Sequence, residues 1–234
     1  MVERHHYYNI FSPEGKLLQV EYALEAVNNS NPVAIARNKS MIVCASKKLY
    51  ASKLMDEEPK NIFRVSSKVY SIVTGLEGDV DQVALYSANL GSDNESRLGF
   101  EITPDILCRV FSDKIQQLIQ TTGQRTFAFG AAFFGFDSGD TSIYATDTSA
   151  TCYPYFGHSF GEKSAKIRKF LEKNLDAVLP DKELVDVVVQ ALLESVGEEA
   201  SSNRIEVAIL ERDKDLKYLN DSEKDTVLQR VSDK

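Results

Sequence analysis

Extended and helical patterns come in blocks along this chain of 234 residues instead of alternating one by one. Runs rich in β-branched and aromatic residues occupy 33–36, 41–45, 62–65, 69–73, 127–136, 142–146, 151–156, 204–210 and 216–219. Helical spacing of apolar residues occupies 79–98, 162–175, 221–231 and the segments that follow Thr103 and Pro180. Such blocks favour antiparallel sheets with helices on their outer faces over a doubly wound parallel sheet. The sequence therefore predicts the α+β class.

Two helices have clear local signals. The helix after Thr103 has that residue as its N-cap, Pro104 at its first position and Asp105 at its positive end. Near the start of the chain, Pro13 and Gly15 predict a turn, and a helix over 17–27 follows it. The apolar stripe of that helix consists of Leu17, Val20, Leu24 and Val27. Its other face carries Glu21, Tyr22 and Glu25, which by itself is typical of an ordinary amphipathic helix packed on its own domain.

Length and composition favour a single domain over residues 1–234, because no linker rich in Pro, Gly or Ser divides the chain. A net charge of -8 argues against nucleic acid as the main partner. No run of about 18 apolar residues is present, so we expect no membrane partner. The first six residues lack the apolar centre of a signal peptide.

The cysteines Cys44, Cys108 and Cys152 are widely spaced, with neither a C-x-x-C pair nor an even number for a disulfide set. This pattern favours a reducing compartment. Each cysteine is expected to be a small buried apolar residue.

No spacing in the sequence marks a metal or a cofactor, and we expect neither. His5 and His6 are adjacent near a terminus, and His158 is remote from both. The segment 137–140 lacks the spacing of a calcium loop and predicts a hairpin turn. Gly75 and Gly78 form neither a dinucleotide fingerprint nor a phosphate-binding loop.

The string from Phe11 to Ala23, FSPEGKLLQVEYA, resembles the N-terminal signature of proteasome α-type subunits, which form the outer rings of the 20S particle. Residues 74–76 resemble the glycine-containing turn before the family's first outer helix. Residues 99–102 and 105–109 look most like the iota-type subunit, at the first position of the eukaryotic α ring. The resemblance implies a four-layer αββα sandwich, with two antiparallel sheets between helical layers, as in N-terminal-nucleophile hydrolases.

The same resemblance implies a non-catalytic subunit that helps to build and gate the particle in ubiquitin-dependent protein degradation, in cytoplasm and nucleus. Its partners would be the other α subunits of a heptameric ring, β-type subunits, and activators or a regulatory particle. Residues 1–10 correspond to a gate tail, and 11–28 to the signature turn and helix. The implied gate and ring-contact residues are Tyr7, Tyr8, Phe11, Pro13, Gly15, Glu21 and Tyr22.

An activator groove is implied at Lys60, Asn61 and Gly75. Asn61 occupies the position of the groove's usual lysine. Lys60 is one residue away and is expected to point elsewhere if the segment is extended. A groove without that cation should pair poorly with an activator carboxylate. The tail also departs from the family, since Arg4, His5 and His6 replace the common Tyr-Asp-Arg.

Catalysis in the β-type subunits uses an N-terminal threonine whose own amino group is the base, beside a lysine and an aspartate. The matching point here lies near Ser30, within the chain and without a Gly-Thr processing junction. Ser46 stands where the aspartate would be. We therefore predict no catalytic residues. The alternative is an autonomous amidohydrolase of the same fold, with Ser30 or Thr74 as its nucleophile.

Overall fold

The computed structural model describes residues 11–48, 54, 59–121, 123–176, 178–196 and 201–232. The predicted gate tail, including Tyr7 and Tyr8, lies outside these ranges. The helices are α1 (Leu18–Asn28), α2 (Glu77–Leu98), α3 (Pro104–Ile119), α4 (Ser164–Asn174), α5 (Asp181–Val196) and α6 (Asp221–Ser232). The strands are β1 (Val33–Arg37), β2 (Met41–Lys47), β3 (Ile62–Arg64), β4 (Val69–Gly75), β5 (Phe129–Asp137), β6 (Asp140–Asp147), β7 (Tyr153–Pro154), β8 (Gly157–Phe160), β9 (Ile205–Glu211) and β10 (Lys217–Tyr218).

The described strands form two five-stranded sheets, and every pairing in them is antiparallel. The strand order of the first sheet is β10-β9-β2-β1-β8, and that of the second is β3-β4-β5-β6-β7. Helices α4, α5 and α6 cover the outer face of the first sheet, and α2 and α3 cover the outer face of the second. The predicted four-layer αββα sandwich is confirmed.

The central strands are apolar on both faces because each sheet is buried on both sides. In β2, Ile42 and Cys44 face the second sheet, while Val43 packs under the helices of the other face. Phe134 and Ile72 meet the first two from across the sandwich. This double burial explains why the strands read as continuous apolar runs instead of alternating with polar residues.

The cap predicted for α3 is present: the Thr103 side chain accepts a hydrogen bond from the Ile106 backbone N–H at 3.5 Å. The helix lays Phe111 edge-on against Phe129 and Phe133, with ring centroids 5.5 and 5.3 Å apart. Such contacts add to the burial of aromatic surface. They fix α3 on the outer face of the second sheet.

The two residues between β5 and β6, Ser138 and Gly139, have φ values of 51° and 91°. Two positive φ values in a two-residue loop give the twist that an antiparallel hairpin requires. The predicted hairpin turn is confirmed.

The extended run predicted over 151–156 is wrong as a single strand. It contains only the short β7, and β8 follows it in the other sheet. The chain crosses between sheets at Tyr155, whose backbone carbonyl accepts a hydrogen bond from the Arg37 side chain at 3.1 Å. Arg37 also lies over the ring of Phe156, 4.6 Å from its centroid. A contact between residues so far apart in the sequence has no local signal.

None of the helices within the described ranges has the length and apolar character needed to cross a membrane.

Candidate subunit contact surface and groove

The turn before α1 is closed by its own backbone. The Gly15 N–H donates to the Ser12 carbonyl at 2.9 Å, and the Ser12 N–H donates to the Lys16 carbonyl at 2.8 Å. Gly15 has a φ of 77°, which a residue with a side chain adopts only at a cost. Ser12 is buried, whereas Phe11 is 68% exposed and Pro13 lies beside it on the surface. The turn therefore presents an aromatic ring to the outside.

Helix α1 packs against the sandwich and contributes to two of its three apolar clusters. Ala23 and Val27 join the core between the sheets, and Val20 joins the core under α2 and α3. The predicted stripe is correct in position, although Leu17 and Leu24 are only half-buried and the small Ala23 takes a central place.

The opposite side of α1 is exposed, as the pattern predicted. Glu21 and Glu25 lie on it, and Tyr22 is 50% exposed. Aromatic residues are enriched in protein interfaces, and half of the Tyr22 side chain is exposed to solvent. Together with Phe11 and Pro13, it makes the start of the described chain a candidate contact surface.

A cavity of about 690 Å³ lies between the end of α1 and the start of α2. The chain segments that line it are 29–31, 59–61 and 74–78, with Ala26, Phe63, Val80 and Asp81. The structure therefore brings together Lys60, Asn61 and Gly75, the three residues of the predicted activator groove.

Asn61 is held inside the wall of this groove. It is 6% exposed, and its Nδ2 donates to the Val73 carbonyl at 2.9 Å, while the Val73 N–H donates to the Asn61 carbonyl at 2.8 Å. Because the side chain completes the pairing beside β4, it takes a structural position where the resemblance expected a lysine. Lys60 is exposed and also lines the groove. The prediction that Lys60 points elsewhere assumed an extended segment, whereas β3 begins only at Ile62. The direction of the Lys60 side chain therefore stays a prediction.

Gly75 marks the point where β4 ends and the chain enters α2. Its φ is 151°, and a Cβ at this position would lie 2.1 Å from the Ala128 carbonyl oxygen. That same oxygen accepts a hydrogen bond from the Leu76 N–H at 3.0 Å. Only glycine permits this approach, so the backbone of β5 and the wall of the groove depend on the missing side chain.

An ion pair between a buried carboxylate and a half-exposed guanidinium lies beside the groove, and it has no signal in the sequence. Asp79, in the first turn of α2, is 3% exposed and receives two hydrogen bonds from the Arg125 guanidinium, at 2.5 and 2.6 Å. It also accepts from the Ala128 N–H at 2.8 Å. The hydrogen bond to Asp79 raises the pKa of Arg125. The pair fastens the start of α2 to the segment before β5.

The two candidate nucleophiles of the alternative hypothesis lie together at the groove. The Ser30 and Thr74 hydroxyl oxygens are 3.0 Å apart, and the Ser30 Oγ donates to the Val27 carbonyl at 2.7 Å. The Ser30 backbone nitrogen is an amide that donates to the same carbonyl at 3.0 Å. It is therefore not an amine that could act as a base. Thr74 is buried and donates to the Asn31 carbonyl at 2.7 Å, which ties β4 to the loop before β1.

The neighbouring Ser46 lies opposite Val33 in the β1–β2 register, where the resemblance places the supporting aspartate of active relatives. It is buried, and its hydroxyl has no hydrogen-bond partner within the described part of the chain. A neutral hydroxyl cannot supply the negative charge that would orient and stabilise a cationic base.

A second, smaller cavity of about 220 Å³ lies on the other side of α1 and contains His158. The imidazole packs between Tyr155 and Phe160, with ring centroids 4.3 and 4.6 Å away. Burial, and then the positive charge of Arg168, lower the pKa of His158 to about 4. In the ranges that the structure describes, no three His, Cys, Asp or Glu side chains cluster as metal ligands would.

Comparison with known proteins places these features in a family context. The family profile described as "Proteasome subunit" matches residues 28–210, and the profile of the N-terminal signature of A-type (α-type) proteasome subunits matches residues 6–26. The chain is 32% identical to proteasome subunit alpha type-8 of Mus musculus over 218 residues, which are 92% of this chain and 86% of that protein. It is 32% identical to proteasome subunit alpha type-7 of Cicer arietinum over 227 residues, 95% and 89% of the two chains. The iota-type resemblance of 99–109 stays a prediction.

Proposed function

Because the chain belongs to the proteasome subunit family and matches the N-terminal signature of its α-type members, we propose that it is a non-catalytic subunit of the α ring of the 20S proteasome. The observation that carries this proposal is the exposed signature itself. From Phe11 onwards, the matched segment forms the turn and most of α1, and it keeps Phe11 and Tyr22 in solvent beside a core of buried apolar residues.

In a heptameric ring, this surface contacts the neighbouring α subunit. Glu21 and Tyr22 present an acid and an aromatic ring on one helix face, and Phe11, Pro13 and Gly15 form the adjoining turn. Aromatic residues at the centre of an interface supply much of its binding energy. β-type subunits would occupy a separate face of the sandwich.

The gate function rests on the residues that precede the turn. Residues 1–10, with Tyr7 and Tyr8, have no strong apolar period and would lie over the axial pore. Deleting residues 2–9 is expected to raise the hydrolysis of a short peptide by the assembled particle while assembly stays the same. Equal rates for matched amounts of intact and truncated particle, without an activator, would contradict a gate role for this tail.

The groove is proposed to accept the C-terminal tail of an activator or regulatory particle. Its cation is Lys60, because Asn61 is committed to the Val73 carbonyl. Glu77 and Asp81 also line it, and their negative charges oppose a carboxylate ligand. We therefore expect weaker docking here than in a groove that presents a lysine at the Asn61 position.

The alternative, an autonomous amidohydrolase, has the Ser30–Thr74 contact in its favour. The amide at Ser30 counts against it, since the chemistry needs a free amine on the nucleophile. A peptidase activity that persists in the isolated chain and is lost in Ser30→Ala would restore it.

The proposed function is tested by native purification from the source cells. A tag at the C terminus leaves the signature untouched, and the co-eluting proteins are identified by mass spectrometry after sizing. We expect several related α subunits and β-type subunits in a particle far larger than 26.1 kDa. A stable monomer in the native extract would overturn the assignment.

Two further experiments test the finer parts of the proposal. Fractionating the same cells tests the proposed localisation in cytoplasm and nucleus. The turnover of a ubiquitin-tagged substrate in cells that lack this chain tests the role in ubiquitin-dependent degradation.

A further inference from the structure

The smaller cavity beside α1, called here the His158 cavity, is formed by four elements of the fold. Asn28 of α1, Asp147 at the end of β6, His158 of β8 and Arg168 of α4 all line it. Its volume of about 220 Å³ is far above the roughly 10–15 Å³ that one water molecule needs. The cavity therefore has room for a small polar ligand.

Ser164, the first residue of α4, lines this cavity and is only 6% exposed. Its hydroxyl makes no hydrogen bond to any other residue that the structure describes. A buried polar group without a partner costs free energy, which a ligand in the cavity would recover. No side chain caps α4, whose N-cap residue Lys163 has a φ of 55°. The positive end of the helix therefore favours an anion at this place.

Arg168 lies one turn further along α4 and lines the same cavity. Its guanidinium donates to the Ser159 carbonyl at 2.9 Å, which fixes the side chain. A guanidinium has five N–H donors, so most of them remain for a ligand. Within the described ranges, no carboxylate forms an ion pair with Arg168. The half-buried cation is thus available to a negatively charged group.

Two further donors come from β8 and from the connection before it. The rings of His158 and Tyr155 are 4.3 Å apart and both line the cavity. Neither the imidazole nor the phenol hydroxyl has a hydrogen-bond partner in the described part of the chain. Burial, and then Arg168, lower the pKa of His158 to about 4. The imidazole is therefore neutral near pH 7 and can donate from one nitrogen.

Asp147 is the one acidic side chain among the described lining residues. Its Oδ1 accepts hydrogen bonds from the Ser149 N–H at 2.8 Å and from the Ser149 hydroxyl at 2.5 Å. The carboxylate is therefore engaged by its own turn, although its charge still opposes an anion in the cavity.

We propose that the His158 cavity binds a small tetrahedral oxyanion, of which inorganic phosphate is the simplest, with Arg168 as its cation and Ser164, His158 and Tyr155 as further donors. These donors belong to three segments of the chain. The four oxygens of phosphate can accept from more of them than the two oxygens of a carboxylate can. The cavity lies across α1 from the proposed activator groove, so this site is separate from the proposed function.

The test is calorimetric titration of the purified full-length chain with inorganic phosphate, with chloride at equal ionic strength as the reference. We expect saturable binding that is weakened at least about tenfold in Arg168→Met and about threefold in Ser164→Ala. Lys166→Met is the matched control, because it removes the same charge from an exposed position of α4, and it should bind like the wild type. Asp147→Asn should bind more tightly, a gain that misfolding cannot produce.

Nuclear magnetic resonance places the bound anion. The double variant His5→Gln, His6→Gln leaves His158 as the only histidine, so its imidazole signal is unambiguous. Phosphate should raise the pKa of His158, because the anion offsets the charge of Arg168. Binding of acetate as tight as that of phosphate would overturn the assignment of a tetrahedral ligand. An unchanged His158 signal, or equal losses in Arg168→Met and Lys166→Met, would overturn the site.

Discussion

The space between the two sheets is filled by apolar side chains such as Ile35, Ile72 and Phe134, whereas the groove beside α1 is bounded by Asn61 and Thr74. In the first region the neighbours are held by shape and burial. In the second region, neighbouring segments are held by hydrogen bonds, which depend on the direction of the donor and the acceptor. An example is the bond from Asn61 Nδ2 to the Val73 carbonyl. The first region is packed, whereas the second leaves a cavity of about 690 Å³.

The difference between the packed region and the groove predicts whether a substitution changes the free energy of unfolding or the association with other subunits. Changes in the packed layers should lower the free energy of unfolding, because they leave voids that the surroundings fill only in part. Changes on the exposed face of α1 should leave that free energy almost unchanged and alter association instead. Changes to the hydrogen-bonded groups at and beside the groove should fall between these limits.

The largest effect is expected for Phe111→Ala. This ring is fully buried and packs edge-on against Phe129 and Phe133. Its removal should lower the free energy of unfolding by about 3–5 kcal/mol, measured by urea denaturation. Phe100→Ala is the control, because that ring is mostly exposed, and it should change the value by less than about 0.5 kcal/mol. Similar losses for the two variants would contradict the contrast between packed and exposed regions.

The next effect depends on pH and on His158. Its pKa is lowered from 6.5 to about 4 by burial, then by Arg168. The unfolded chain therefore takes up a proton near pH 6.5, and the folded chain does so only near pH 4. The stabilisation is present above pH 6.5 and is lost as the pH falls towards 4, by roughly 2–3 kcal/mol.

His158→Phe should reduce that loss, since it keeps an aromatic ring between Tyr155 and Phe160 and removes the titration. Urea denaturation of both proteins at several pH values gives the difference. His158→Gln, which is also neutral, checks that the result does not come from the new ring. A wild-type loss that both variants reproduce would assign the pH dependence to other groups.

A smaller effect is expected beside the groove. Asp79→Asn removes the charge that receives two hydrogen bonds from Arg125 and leaves the Ala128 N–H beside an amide. The free energy of unfolding should fall by about 1–2 kcal/mol, because water can still solvate the exposed side of Arg125. Glu101→Gln breaks the exposed pair with Lys68 and should leave the free energy of unfolding almost unchanged. A loss at Asp79 no larger than at Glu101 would show that burial adds nothing to this pair.

The same contrast explains what the sequence could predict. The apolar runs of β1 and β2 and the Thr103–Pro104 start of α3 are local signals, and the structure has them where they were predicted. Asp79 and Arg125 are 46 residues apart, and nothing in either neighbourhood indicates the other.

Strand β8 was missed for a related reason. Its residues Gly157, His158 and Ser159 are not typical of a strand, and it forms by pairing with β1 after the chain crosses between the sheets. The groove residues Lys60, Asn61 and Gly75 were predicted from family resemblance alone. The sequence does not show that Lys60 is exposed while Asn61 is buried in the wall. That difference depends on the hydrogen bonds between Asn61 and Val73, which form only in the folded chain.

The smallest effect on stability, and the sharpest test of the comparison, is expected for Tyr22→Ala. Half of this side chain is already in solvent, so the free energy of unfolding should change by no more than about 0.5 kcal/mol. If α1 contacts a neighbouring subunit, the loss of an interface aromatic should weaken that contact by at least about fivefold.

The measurement is a competition between the variant and the wild-type chain, which are co-expressed and enter the same particle. Mass spectrometry of the purified particle gives the ratio of the two chains. Val178→Ala, an exposed apolar truncation between α4 and α5, is the control and should compete equally. Both variants are expected to keep the stability of the wild type, so reduced incorporation of Tyr22→Ala alone would be due to the contact surface. Equal incorporation of Tyr22→Ala would show that this face of α1 does not hold the ring together.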